Sequence, residues 1–355
     1  MTFADLVVIG GGQSGLAAAR AAARRGLRAL VLDASPGPGG SWPAYYDSLT
    51  LFSPARFSGL PGMPFPGDPD RYPVRDEVVD YLTAYAGALD ADLRFGTRAE
   101  LVITEDDGGF TVLAGGEAVR TPSVIAASGG FGTPLRPALP GLDSFTGRVL
   151  HAAEYRSPGG LAGARVVVVG GGNSAVQIAT ELAQVATVSI TTRGPLRFQR
   201  QRILGRDFHW WLTRSGLDTS RWGPRLAPGT VPVIDDGRYR AAVSVGRPDH
   251  RPLPQRFDDN RVVWSDGTSE PVDVVLLATG YRPDLPYLAG TGAVDEHGVP
   301  RHDGGVSTAL PGLGFVGLER QRSFASATLR GVGRDAEFVL DRVLRRAGRH
   351  VAEVR

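Results

Sequence analysis

The stretch from Leu6 to Asp33, LVVIGGGQSGLAAARAAARRGLRALVLD, decides how the chain folds. An apolar, β-branched run enters a triple glycine, an alanine-rich segment of helical length follows, and a second apolar run ends at a carboxylate. Strand, tight turn, helix and strand make a βαβ unit. Gly10, Gly12 and Gly15 fill the pattern G-x-G-x-x-G. The first glycine permits the turn, the second lets the backbone approach a pyrophosphate, and the third keeps helix and strand close. Ser14 falls in the first helical turn, whose free N–H groups and positive dipole suit an anion. Asp33 stands where a carboxylate accepts hydrogen bonds from ribose hydroxyls.

The plan recurs at residues 166–193, VVVVGGGNSAVQIATELAQVATVSITTR. Here Gly170, Gly172 and Ala175 fill the pattern, Asn173 and Ser174 open the helix, and Arg193 ends the second strand. From Gly10 to Asp33 and from Gly170 to Arg193 the spacing is the same 23 positions. An arginine at that point pairs with a 2′-phosphate instead of a ribose hydroxyl. The first copy therefore suits FAD or NAD, and the second suits NADPH. One such glycine pattern arises by chance, whereas two in βαβ context with fitting charges at equal distance make a strong signal.

Two further segments share a form: VIAASGGFGTPLRP at 124–137, with Ala127 and Gly129, and VLLATGYRPDLP at 275–286, with Ala278, Thr279, Gly280 and Tyr281. Each runs an apolar strand into a small-residue turn, and each is expected to be the final strand of its nucleotide-binding sheet. The expected fold is α/β, with two dinucleotide-binding, Rossmann-like domains. The second, 159–278, is inserted in the first, 1–158 and 279–355. Residues 98–121 alternate as a small antiparallel excursion, and residues 39–75 form a long loop rich in Gly, Pro and aromatics, a feature that usually carries function. Residues 196–260 read as an arginine-rich charged surface. Val339, Val343, Ala347 and Val351 form a packing stripe on a last helix.

Composition removes several chemistries. The chain of 355 residues has no cysteine, and all 39 of its basic residues are arginine. Disulfide exchange, thiolate nucleophiles, cysteine-ligated zinc and lysine Schiff bases are excluded. A net charge of +2 argues against nucleic acid or a membrane surface as the partner. The six histidines show no metal-ligand spacing, so no metal is expected. With no signal-peptide pattern and no uncharged run long enough to span a bilayer, a soluble cytoplasmic protein is expected.

Between the two nucleotide loops, FTGRVLHAAEY at 145–155 fits F-x-G-x-x-x-H-x-x-x-Y. With the paired loops and ATGY at 278–281, it resembles the linker motif of the flavin-containing monooxygenases, the class B flavoprotein monooxygenases, over nearly the whole chain. The resemblance implies FAD in the first copy and NADPH in the second, with NADH as a weaker donor. It implies O2 activated as a C4a-(hydro)peroxyflavin and one oxygen atom passed to a soft nucleophile. A sulfide is favoured, with amines next and weak Baeyer–Villiger oxidation of ketones beyond. Tyr155 favours the sulfur- and nitrogen-oxidising type, since Baeyer–Villiger members usually carry tryptophan there. By position in the family, Gly40, Ser41 and Trp42 lie against the flavin ring, Thr328 and Leu329 face its pyrimidine edge, and His151 couples reduction to oxygenation. Phe52 stands near the oxygen-reacting edge, where the family often has asparagine; it can exclude water but donates no hydrogen bond. Gly194 follows Arg193 where threonine is common. Implied partners are a small-molecule substrate and O2, with a homodimer left open. The rival readings are an NAD(P)H:acceptor flavin reductase yielding hydrogen peroxide and a non-enzymatic flavin/NADP redox sensor.

Overall fold

The computed structural model describes residues 2–220 and 232–354, with side chains described through residue 348. Two parallel sheets carry the architecture. The first runs in the order His302–Asp303, Val306–Ser307, Leu313–Phe315, Val124–Ala126, Leu6–Ile9, Ala29–Leu32, Asp92–Arg94. Its last five strands are parallel, and the two edge strands at 302–307 are added antiparallel. The central strands Leu6–Ile9 and Ala29–Leu32 are buried at every position, which explains their unbroken apolar runs: both faces of this sheet are covered.

One face takes helix α1, Gln13–Ala23, and the C-terminal helix α6, Leu329–Val354. The alanines of α1 let α6 approach closely, and Leu16, Ala17 and Ala21 share a core with Val332, Ala336, Val339 and Val343. Val339, Val343 and Ala347 are buried as the stripe requires, while Val351 lies outside the residues whose side chains are described. Helix α2, Arg75–Gly87, adds Val78, Tyr81, Leu82 and Tyr85 to the same core. The other face is covered by a second layer, in the order Thr2–Phe3, Glu117–Thr121, Phe110–Ala114, Ala99–Thr104. The excursion at 98–121 is thus an antiparallel meander, to which the N-terminal strand adds in parallel.

The second sheet is parallel throughout, in the order Arg148–His151, Val274–Leu277, Arg165–Val169, Thr187–Thr192, Asp249–Pro252. Helix α3, Asn173–Leu182, packs on one face and the meander 256–271 on the other. Two shorter helices, α4 at Phe208–Arg214 and α5 at Arg238–Ser244, lie between its later strands. The edge strand Arg148–His151 comes from the linker, so this sheet draws on residues ahead of 159.

The expectation that 124–126 and 275–277 are the final strands of their sheets holds in chain order for the second, since Val274–Leu277 is the last strand its sheet receives. It needs correcting for the first, which gains three more strands from residues 302–315 after Val124–Ala126. Val124–Ala126 lies between Leu6–Ile9 and Leu313–Phe315, and Val274–Leu277 lies between two strands of its own sheet. In each sheet the chain departs from the middle, beside the glycine loop, at the point where ligands of open α/β sheets bind. The departing segments then pair with each other, Thr133–Pro134 antiparallel to Tyr281–Arg282.

The third glycine position separates the two loops. A Cβ on Gly15 would stand 1.7 Å from the Gly10 carbonyl oxygen, whereas the second loop already accepts Ala175 there. Gly15→Ala is expected to abolish flavin retention and lower the melting temperature, while Ala175→Gly costs only the ~1 kcal/mol of a helical glycine. Flavin absorbance after gel filtration and thermal melts of both variants check this.

Candidate active site

The site is assembled from loops at the carboxyl ends of the first sheet. Gly10, at φ 111°, passes so close to the Ala127 carbonyl that a Cβ would lie 2.6 Å from its oxygen. Gly12 caps α1 without any side-chain hydrogen bond, and Gly172 does the same for α3. Among the described residues no side-chain cap therefore occupies the first N–H groups of either helix, and a Cβ at Gly172 would meet nothing within 4 Å. This open cradle fits a pyrophosphate. Gly170, at φ 141°, repeats the close approach, with the Ala278 oxygen 2.3 Å from a would-be Cβ. Asp33 is buried, accepting from the backbone N–H groups of Gly11 and of Ser35, the latter at 2.6 Å. Its carboxylate is thereby fixed at the end of the second strand. Ser14 is buried against Gly317, and Gly40 packs on Gly12.

Three segments far apart in sequence meet at Gln13. Its Oε1 accepts from Trp42 Nε1 at 2.5 Å and its Nε2 donates to the Ala327 carbonyl at 2.9 Å. Trp42 is thus held beside the start of α6, where Thr328 Oγ1 donates to the Ala325 carbonyl and Leu329 is buried. Ser41 bonds the Tyr45 hydroxyl at 3.2 Å. From Trp42 a ladder of rings crosses to the linker: Tyr45 at 5.6 Å, then Phe131, Tyr281 and finally His151, 5.0 Å from Tyr281. Sequence reasoning singled out both ends of this ladder but missed Tyr45, Phe131 and Gln13.

His151 is fully buried. Its Nδ1 accepts from the Ala153 N–H at 3.1 Å, which leaves the proton on Nε2, facing the Gly280 carbonyl at 3.1 Å. Burial pushes its pKa below the ordinary value, so the ring is neutral, and both nitrogens are engaged with backbone. The residue ties the ATGY turn to the linker strand. Tyr155, also buried, donates to Glu181 Oε2 at 2.7 Å and lies against Tyr46. The linker thereby grips both the long loop and helix α3.

Phe52 is stacked on His209, with centroids 5.9 Å apart and planes at 18°. The arginines described in 196–260 are mostly exposed, as the reading of a charged surface expects, and residues 221–231 lie outside the described residues. The correction is local, since His209 is 1% exposed and Asp218 3% exposed, and they contact Phe52 and Arg330 respectively. Asp207 Oδ1 holds His209 Nδ1 at 2.8 Å while Asp207 Oδ2 accepts from the Tyr72 hydroxyl at 2.7 Å. Gln201 Nε2 donates to the Phe52 carbonyl at 3.1 Å. Further on, Arg330 on α6 grips Asp218 with two hydrogen bonds of 2.8 and 2.9 Å. The only sequence signal was the run His209-Trp210-Trp211 amid arginines, which does not distinguish a buried patch from an exposed one. Arg193 is exposed, and among the described residues it has no carboxylate partner; Gly194 offers its carbonyl to Thr192 Oγ1 at 2.5 Å. Asn173 accepts from the Ile234 N–H at 3.0 Å, so its side chain braces the strand 233–235, while Ser174 beside it is exposed on the first turn of α3. Thr279 Oγ1 donates to the Leu135 carbonyl at 2.5 Å.

A family model described as pyridine nucleotide-disulphide oxidoreductase matches residues 7–208. An uncharacterized CzcO-like oxidoreductase of Geobacillus kaustophilus is 31% identical, over 96% of this chain and 98% of its own. The indole-3-pyruvate monooxygenase YUCCA4 of Oryza sativa subsp. japonica is 31% identical, over 96% of this chain and 87% of its own. A flavin-containing monooxygenase from Stenotrophomonas maltophilia is 35% identical and superposes with a TM-score of 0.85, covering 97% of this chain and 99% of that one. The chain belongs to the flavin-containing monooxygenases. It is an oxidoreductase of two Rossmann-type halves that uses FAD and NADPH. Since the chain lacks cysteine, the disulfide chemistry in the family model's description has no counterpart here. Among the described residues no helix is long and apolar enough to cross a membrane.

Two outcomes follow for this monooxygenase. His151 and His209 are both held neutral by burial, with folded pKa values below that of the unfolded chain, about 6.5. The unfolded state therefore binds more protons below that pH, so stability is complete above it and falls on acidification. Thermal melts from pH 8 to 5 should show this, with a shallower fall in His209→Phe. Arg193→Ala should raise the KM for NADPH roughly tenfold or more, the scale of ~1.5–3 kcal/mol for a hydrogen bond to a charged group, and leave NADH kinetics unchanged.

Proposed function

We propose that this monooxygenase transfers one oxygen atom of O2 to a soft nucleophile, a small-molecule sulfide first and an amine second, with weak Baeyer–Villiger activity on ketones. Sulfide, O2, NADPH and a proton give sulfoxide, NADP+ and water. Residues 1–158 and 279–355 hold FAD in this reading, and 159–278 hold NADPH, with NADH a slower donor. Bound FAD supplies the redox chemistry, taking hydride from NADPH and activating O2.

The carrying observation is the aromatic wall at Phe52. Its ring is backed by His209, and His209 in turn by Phe57 and Phe208. Such a wall excludes water and offers the acceptor no general base, since His209 stands behind the phenyl ring with Nδ1 committed to Asp207. An acceptor used there must carry its own available lone pair, which a thioether does. Trp42 and the start of α6 serve to orient the flavin ring and its pyrimidine edge. The N–H groups at Gly12 to Gly15 and at Gly172 to Ala175 bind phosphates, Asp33 binds ribose, and Arg193 binds the 2′-phosphate. His151 acts as a positioning residue: through Gly280 it fixes the crossing between the two halves, and with it the approach of nicotinamide to flavin.

The lack of an amide at position 52 favours a second outcome, leakage of reduced oxygen as hydrogen peroxide. Measuring sulfoxide, peroxide and NADPH together on methyl phenyl sulfide decides between them. Sulfoxide is expected as the main product, with peroxide accounting for the remaining NADPH, and Phe52→Asn should raise the sulfoxide share. Peroxide equal to NADPH with no sulfoxide would replace this reading with the acceptor reductase.

A further inference from the structure

The two glycine loops can be laid on each other residue by residue. Gly10 donates its N–H to the Leu32 carbonyl at 2.7 Å, and Gly170 donates to the Thr191 carbonyl at 3.0 Å. The residue after that carbonyl is Asp33 in the first copy and Thr192 in the second, and each meets the middle glycine of its loop. A Cβ on Gly11 would lie 3.0 Å from the Asp33 Cβ, and one on Gly171 would lie 3.0 Å from the Thr192 Cγ2. Thr192 therefore stands where the first copy keeps its ribose-binding carboxylate, with Arg193 one step beyond. A neutral hydroxyl at that point removes the charge that would repel a 2′-phosphate.

The match continues on the next strand. Asp92-Leu93-Arg94 pairs with Leu30–Leu32 as Asp249-His250-Arg251 pairs with Ser189–Thr191. In both copies the aspartate takes the arginine of its own strand, at 3.0 Å for Asp92 with Arg94 and 2.7 Å for Asp249 with Arg251. Only the central residue changes in kind. Leu93 packs against the first core, whereas His250 is exposed and its Nε2 lies 2.6 Å from Thr192 Oγ1.

The proton in that contact is assigned by its neighbour. Thr192 Oγ1 gives its one hydrogen to the Gly194 carbonyl at 2.5 Å, so His250 Nε2 must be the donor. Asp249 is already committed, accepting from Ser189 Oγ at 2.6 Å and from Arg251 Nε at 2.7 Å, and among the described residues His250 has no carboxylate partner. A Cβ on Gly194 would meet nothing within 4 Å, so the space at the turn is open. A phosphate that enters at Thr192 thus finds the Arg193 guanidinium and, within reach of the same hydroxyl, an imidazole N–H.

We propose that His250 is a further residue selecting NADPH over NADH, its Nε2–H turned from Thr192 to the 2′-phosphate that Arg193 also binds. The inference rests on the reading that the second copy holds NADPH, and it adds a second donor to that site.

The test measures calorimetric binding to the oxidised, FAD-loaded enzyme of adenosine 2′,5′-bisphosphate, which carries the phosphate, and of adenosine 5′-monophosphate, which lacks it. It uses the wild type, His250→Leu, which installs the first copy's residue, His250→Gln, which keeps an N–H donor, and Arg193→Ala. The wild type should bind the bisphosphate more tightly. His250→Leu should cut that preference about tenfold, the scale of a hydrogen bond to a charged group, with monophosphate binding unchanged, and His250→Gln should keep most of it. In turnover the leucine variant should raise the KM for NADPH and leave kcat and the NADH constants as they are. Equal weakening of both nucleotides in His250→Leu overturns the inference, by making His250 a packing residue of the turn. An unchanged preference in His250→Leu also overturns it, and if Arg193→Ala then abolishes the preference, the assignment of the second copy to NADPH stands without His250. Equal binding of both nucleotides by the wild type would overturn that assignment and the part of His250 together.

Discussion

The contact on which the site depends is between a glycine and a carbonyl oxygen. At Gly10 the backbone passes so near Ala127 that no side chain fits, and at Gly170 the same meeting occurs with Ala278. Each glycine ends a buried strand, and each carbonyl belongs to the neighbouring strand as the chain leaves the sheet. The turn into the helix is thus pressed against the point of departure, and the helix N-terminus is aimed across the crevice formed there. Everything charged in a nucleotide has somewhere to go only because this approach is so close.

A second constraint joins the halves. The two departing segments pair with each other, and His151 bonds the turn between Gly280 and Tyr281 from the linker side. An imidazole with both nitrogens on backbone cannot rotate without breaking a buried hydrogen bond, so His151 pins the crossing between the two halves. The Phe52 contact is of another kind. It is an apolar stack, steered by a carboxylate and a tyrosine hydroxyl that lie behind it, and it links the long loop of one half to the α4 segment of the other. The inserted half thereby reaches over the flavin half and supplies part of its wall.

The periodicity of the two βαβ units was sufficient to read the sheets, the loops and the positions of Asp33 and Arg193, because these follow from local rules of turn and charge. Strand order was not legible. Nothing in VIAAS distinguishes a central strand from a final one, since both are apolar on two faces, and only the return of residues 313–315 decides it. Gln13 was illegible for a related reason: its partners are Trp42 and Ala327, the latter 314 positions away. His209 and Asp218 sit among arginines, and local hydropathy cannot tell a charged surface from a charged segment folded inward. Their burial comes from pairing, with Asp207 and Arg330, which sequence spacing does not encode.

The place of Leu313–Phe315 in the first sheet also bears on how the chain is made. Translation delivers residues 6–126 early, yet the strand that covers Val124–Ala126 emerges only near the end. Until then that strand keeps an open hydrogen-bonding edge and lacks the covering of α6. The second sheet, by contrast, is drawn from 148–277 without interruption and can close while the ribosome is still at work. In chain order the inserted half has all its sheet strands by Leu277, whereas the half that surrounds the flavin waits for residues 302–315.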